Sequence, residues 1–141
     1  MQPSFTYALP KSCYRWFASN KLERVIGLEN LNTSQVTNMS SMFEGCQATE
    51  LAIQTFDTYN VTDMSAMFKD CSLLTTLDIS HLNTGLVTTM KEKFSGCKSL
   101  HTIWCDNSWS EIEHSANMFT GCESLKGAVP YKESMTTLDG R

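Results

Sequence analysis

Apolar residues along the chain follow two rhythms in turn. Val36, Met39, Phe43 and Cys46 are spaced three, four and three, which places them on one face of a helix. Thr33 or Ser34 precedes them and supplies an N-cap oxygen for the free N–H groups of a first turn. Further on, Leu77-Asp78-Ile79 alternates with period two, the signature of a strand. Ile26-Gly27-Leu28, Leu51-Ala52-Ile53 and Ile103-Trp104-Cys105 do the same. The pattern predicts a unit made of a short helix, or helical turn, followed by a short strand.

The unit repeats. Its anchor reads Met42-Phe43-Glu44-Gly45-Cys46, then Met67-Phe68-Lys69-Asp70-Cys71, Lys93-Phe94-Ser95-Gly96-Cys97 and Met118-Phe119-Thr120-Gly121-Cys122. Trp16-Phe17-Ala18-Ser19-Asn20 is a degenerate first copy. Phenylalanines fall at 17, 43, 68, 94 and 119, in steps of 26, 25, 26 and 25. Seven residues before them stand Pro10, Val36, Val61, Val87 and Ile112; four before stand Cys13, Met39, Met64, Met90 and Ser115. Gly45, Asp70, Gly96 and Gly121 follow the Phe by two, where a short helix would end in a left-handed residue.

No such unit covers its own apolar face, so neighbours must stack and each column becomes a ladder. The predicted fold is an α/β solenoid: a leucine-rich-repeat-like, right-handed stack of about five coils of 25–26 residues. Its strands form a narrow parallel sheet that rises roughly 4.8 Å per coil. Residues 1–141 read as a single repeat domain, with an N-terminal cap over 1–12, coils over 13–122 and a C-terminal cap and tail over 123–141. In the latter, Leu125-Lys126-Gly127-Ala128-Val129-Pro130 turns the chain through Gly and Pro.

Asn32-Thr33-Ser34-Gln35-Val36-Thr37-Asn38-Met39-Ser40-Ser41-Met42-Phe43-Glu44-Gly45-Cys46 resembles the 26-residue repeat of the BspA-like leucine-rich-repeat family of bacterial surface proteins. Asp57-Thr58-Tyr59-Asn60-Val61-Thr62-Asp63-Met64-Ser65-Ala66-Met67-Phe68 is similar to the same consensus. The likeness spans about residues 13–127, and Thr137-Leu138-Asp139-Gly140 resembles segments that trail such arrays. Thr49, Lys93 and Ser115 depart from the repeat, standing where it has Leu, Met and Met. The resemblance implies a non-enzymatic, extracellular or cell-surface module used in adhesion and protein contacts. The opening Met1-Gln2-Pro3-Ser4 shows neither the charged n-region nor the apolar h-region of a signal peptide, which leaves a cytoplasmic setting open.

Composition narrows the function classes. Net charge is −4 and only 18% of residues are charged, the reverse of the basic face that draws nucleic acid. No apolar run approaches the roughly 18 residues of a membrane helix. Six cysteines, at 13, 46, 71, 97, 105 and 122, include no Cys-x-x-Cys pair, so no metal site is predicted. Cys46, Cys71, Cys97 and Cys122 share one inward column and are expected to be buried free thiols, since their Cβ vectors run parallel; a disulfide between stacked neighbours, which lie about 5 Å apart at Cα, stays open as the second reading. His81, His101 and His114 are scattered, and no nucleophile or phosphate-loop motif accompanies them. No catalytic residue and no cofactor is predicted. Asn32-Thr33-Ser34, Asn38-Met39-Ser40 and Asn60-Val61-Thr62 fit the glycosylation triplet but read more simply as turn residues.

A partner would meet the outward strand positions and turns. These are Gly27 and Glu29, Ala52 and Gln54, Asp78 and Ser80, Trp104 and Asp106, flanked by Thr75, Thr76, His101 and Thr102. Trp104 alternates with Ile103 and Cys105 and should point out if they point in; an exposed Trp is a typical interface anchor unless the tail over 128–141 covers it. The contact residues predicted are Trp104, Asp106, His101, Asp78, Ser80, Gln54 and Trp109, for a protein partner such as a host matrix or another surface protein. Two further roles remain open: a structural spacer in a longer array, and an intracellular interaction protein or inhibitor. The chain is expected to be a monomer or to associate through its open edges.

Overall fold

In the computed structural model, which describes residues 9–105 and 112–125, the repeat phenylalanines lie one above another. Successive ring centroids of Phe17, Phe43, Phe68, Phe94 and Phe119 are 5.5, 5.7, 5.6 and 5.4 Å apart, and the planes tilt by 11° at most. Each ring thus stacks on the next within the range where aromatic pairs add roughly 0.5–1.5 kcal/mol beyond burial. The other columns follow. Val36, Val61, Met39, Met64 and Met90 are fully buried, as are Met42, Met67 and Met118 beside the rings.

Where the sequence predicts a short helix or helical turn at each anchor, the described residues form no helix. Residues 40–45 form a ribbon of tight turns. Within it the amides alternate. Met42, Glu44 and Cys46 donate back to the carbonyls of Met39, Ser41 and Phe43 in the same coil. Ser41, Phe43 and Gly45 donate across to Ser65, Met67 and Lys69 of the next coil, at 2.7–2.9 Å. Ala66, Phe68 and Asp70 repeat this toward Lys91, Lys93 and Ser95. An α-helix would consume all these amides within the coil and leave none to join coils.

The alternation requires left-handed residues at two places per coil. One column is Ser19, Gly45, Asp70, Gly96 and Gly121, of which the last four are the predicted helix ends. The other is Arg15, Ser41, Ala66, Glu92 and Asn117, with φ between 52 and 58°. The packing between coils is close at the first column: a Cβ built on Gly96 would overlap Asp70 Oδ1. Thr33 caps no helix either. Its Oγ1 accepts from the Asp57 N–H at 2.7 Å and donates to the Asp57 carbonyl at 3.0 Å, tying two coils together. Thr58 Oγ1 likewise donates to the Asn83 carbonyl, at 2.7 Å.

Two strands, β1 (Thr76–Asp78) and β2 (Thr102–Trp104), pair in parallel with Leu77 opposite Ile103 and Asp78 opposite Trp104. Leu51-Ala52-Ile53 keeps the buried-exposed-buried alternation without forming a strand. The first copy departs from the expectation: Gly27 takes φ 90°, Leu28–Asn30 is a 3-10 turn, and Ile26 is 66% exposed rather than inward. Cys105 is also exposed rather than inward. A second line of parallel bridges joins Ser12, Asn38, Asp63, Thr89 and His114. Of the two predicted caps, residues 1–8 and 126–141 lie outside the described residues.

The cysteine column is reduced and bonded. The thiols of Cys71, Cys97 and Cys122 donate to the carbonyls of Phe43, Phe68 and Phe94 in the preceding coil, each at 3.0 Å. Lys93 occupies the Met column and is fully buried, with Nζ 3.4 Å from Met64 Sδ and 5.4 Å from the Phe94 ring centre. Burial pulls its pKa down to about 8, against a smaller upward pull from Cys105.

Both the left-handed column and the buried lysine can be tested. Ala66→Gly removes a left-handed strain of about 1–2 kcal/mol but loosens the unfolded chain by about 0.4–1 kcal/mol. Chemical denaturation should therefore show a neutral to slightly more stable protein, whereas a helix at that site would lose about 1 kcal/mol. Lys93→Met should stabilise the fold most below pH 8. There the unfolded and folded chains both carry the charge, and a depression from about 10.5 to about 8 corresponds to about 3 kcal/mol. Between these values the unfolded chain binds more protons, so wild-type stability gains on the variant as pH rises. The buried thiols, raised by burial, pull the other way in both proteins and cancel in the difference. A gap that stays constant from about pH 7 to about pH 10.5 would refute the buried charge.

Candidate partner-binding groove

The outward side chains of the strand positions line a shallow groove of about 490 Å³ that crosses four coils. Arg24, Gly27 and Glu29 come from the first, Glu50, Ala52 and Gln54 from the second, Thr76 and Asp78 from the third, and Trp104 from the fourth. Alternation explains the placement. Leu77 is buried in the core, so Thr76 and Asp78 face out; Leu51 and Ile53 are buried, so Ala52 faces out. Trp104 is 52% exposed.

Asp78 is held rigidly. Its Oδ1 accepts from Ser80 Oγ at 2.6 Å and from the Ser80 N–H at 3.0 Å. These two bonds, with a smaller contribution from His81, hold the carboxyl below its ordinary pKa and keep it ionised. Ser80 therefore orients Asp78 instead of lining the groove. Arg24 and Glu50 form an ion pair at 2.8 Å on the rim, and that bond raises the guanidinium further above its already high value. Among the described residues, the groove presents three carboxylates, Glu29, Glu50 and Asp78, to one guanidinium.

Of the predicted contacts, the structure brings together Gln54, Asp78 and Trp104. His101 lies elsewhere, in a hollow of about 710 Å³ with Ser99, Thr102, Glu123 and Ser124, its Nδ1 2.9 Å from Thr102 Oγ1. Asp106 and Trp109 fall outside the described residues, as does the tail over 128–141. Arg24 and Glu50 were not among the predicted contacts. Their signal was present as opposite charges one period of 26 residues apart.

The buried thiols are held protonated. Burial pushes Cys13 up to about 11 and raises Cys71 and Cys97 strongly, and a protonated thiol is a poor nucleophile. Among the described residues no three His, Cys, Asp or Glu side chains gather as a metal site. No helix among them is long and apolar enough to cross a membrane.

The family described as "Mycoplasma protein of unknown function, DUF285" matches residues 11–131, a span that contains all the coils over 13–122. The chain belongs to the DUF285 family. No curated protein and no solved structure matches it. The DUF285 match covers every coil that contributes to the groove, so Trp104 and Asp78 both sit within the family's span.

Because Trp104 stands on the groove wall with half its surface in solvent, Trp104→Ala should leave the melting temperature nearly unchanged. A loss of more than several degrees in a thermal scan would make Trp104 a packing residue and remove it from the contact surface.

Proposed function

We propose that this chain is a non-catalytic protein-binding module, built as a BspA-like leucine-rich-repeat solenoid and displayed by a bacterial surface protein for adhesion. The columns of Phe, Met and Cys face inward and hold the coils together, so contact falls to what faces outward. The observation that carries the reading is the groove over four successive coils, with an exposed Trp on its wall and charged residues held in fixed positions. Aromatic anchors surrounded by polar groups are the usual centres of protein interfaces. The likeness of the repeat to that of bacterial surface proteins supports the surface setting, and the three paired or bonded groups, Arg24, Glu50 and Asp78, support recognition over chemistry.

The test is capture of host matrix proteins, or of other surface proteins of the same cell, by immobilised protein. Wild type should retain a partner that the double variant Asp78→Ala/Trp104→Ala retains at least tenfold less. Equal capture by both would remove the groove as the contact site. No capture from either source would favour a spacer within a longer array.

A further inference from the structure

We propose that the groove recognises a basic side chain, a lysine or arginine carried on an exposed segment of a protein partner, with Asp78 and Trp104 as the reading pair. The inference rests on the binding role proposed above and specifies what the groove takes.

The register of the two strands sets the pair. Asp78 lies directly opposite Trp104 in a parallel ladder, so the two side chains are neighbours on the same outward face. Strands in such a ladder are about 4.8 Å apart. A cation lying over both side chains meets the carboxylate and the indole ring together; Trp is the strongest aromatic partner for a cation. Each group is ready for that role. Asp78 is fixed and kept ionised by Ser80, so binding does not have to order or deprotonate it. Trp104 has half its surface in solvent. The cation on the groove wall that would repel a basic guest, Arg24, is already engaged by Glu50. Glu29 adds a further negative charge to the wall. The lining is therefore complementary to positive charge. With Arg24 and Glu50 neutralising each other, an acidic segment would face the two remaining carboxylates, Glu29 and Asp78.

The probe is hexalysine, acetylated at its N-terminus and amidated at its C-terminus, titrated into the full chain at low salt with calorimetric detection. Its control is the same peptide with every side-chain amine acetylated. Wild type should bind the charged peptide at least tenfold more tightly than the acetylated one. Asp78→Asn and Trp104→Ala should each weaken binding at least fivefold, and Trp104→Phe should retain more affinity than Trp104→Ala. Glu113→Gln removes one exposed negative charge away from the groove and should change binding less than twofold. Circular dichroism checks that each variant is folded. If Asp78→Asn and Glu113→Gln weaken binding equally, the attraction is general charge and the proposal is overturned. Equal binding of the acetylated peptide overturns it as well. A matrix or surface protein that is captured through Trp104 regardless of lysine and arginine modification would overturn this specificity while leaving the binding role standing.

Discussion

The alternating use of backbone amides is the constraint on which everything else depends. In each turn ribbon one N–H closes on its own coil and the next reaches across to the following coil. Buried amides must find partners, and an unsatisfied one costs about 1–3 kcal/mol. The ribbon meets that demand and joins the coils with the same set of bonds. It also fixes the vertical alignment, because an amide at Phe43 that bonds to Met67 sets Phe43 beneath Phe68.

Side chains then fill the positions that the backbone defines. The phenylalanines form a stacked file. The cysteines add a bond between coils, since a thiol small enough to bury also donates to the Phe carbonyl of the coil before it. Lys93 is the exception in the Met column. Its four-carbon stem fits the space of a methionine, while its ammonium group sits against Met64 sulfur and the Phe94 ring, where burial disfavours the charge. The outward positions are free of these demands, so charge and aromatic character can vary there without disturbing the stack.

Much of this was legible in the sequence. Phe, Met, Val and Cys columns can be read because their side chains are what stacking selects. The groove could be read in part, since Leu77 and Ile79 must face in and so send Asp78 out. The ribbon was not legible. A spacing of three, four and three fits a helix as well as it fits successive turns, and only the backbone shows which amides leave the coil. One left-handed column carried a glycine signal; the other, Arg15, Ser41, Ala66, Glu92 and Asn117, shares no side-chain property that a reader could align. Ile26 misled for a related reason. Gly27 turns left-handed and begins a 3-10 turn, so alternation stops one residue short of where the pattern placed it. Arg24 and Glu50 were missed because a pair formed between coils is seen only by comparing positions one period apart.

Among the described residues, the backbone bonds and bridges that join coils run between places close to one period apart, so each coil is tied to its immediate neighbours. A duplication or deletion of one whole period would therefore leave each remaining amide with a carbonyl of the right kind to meet. The stack would change length in steps of one coil, and a groove built from four adjoining coils would be lengthened, shortened or moved by the same genetic event.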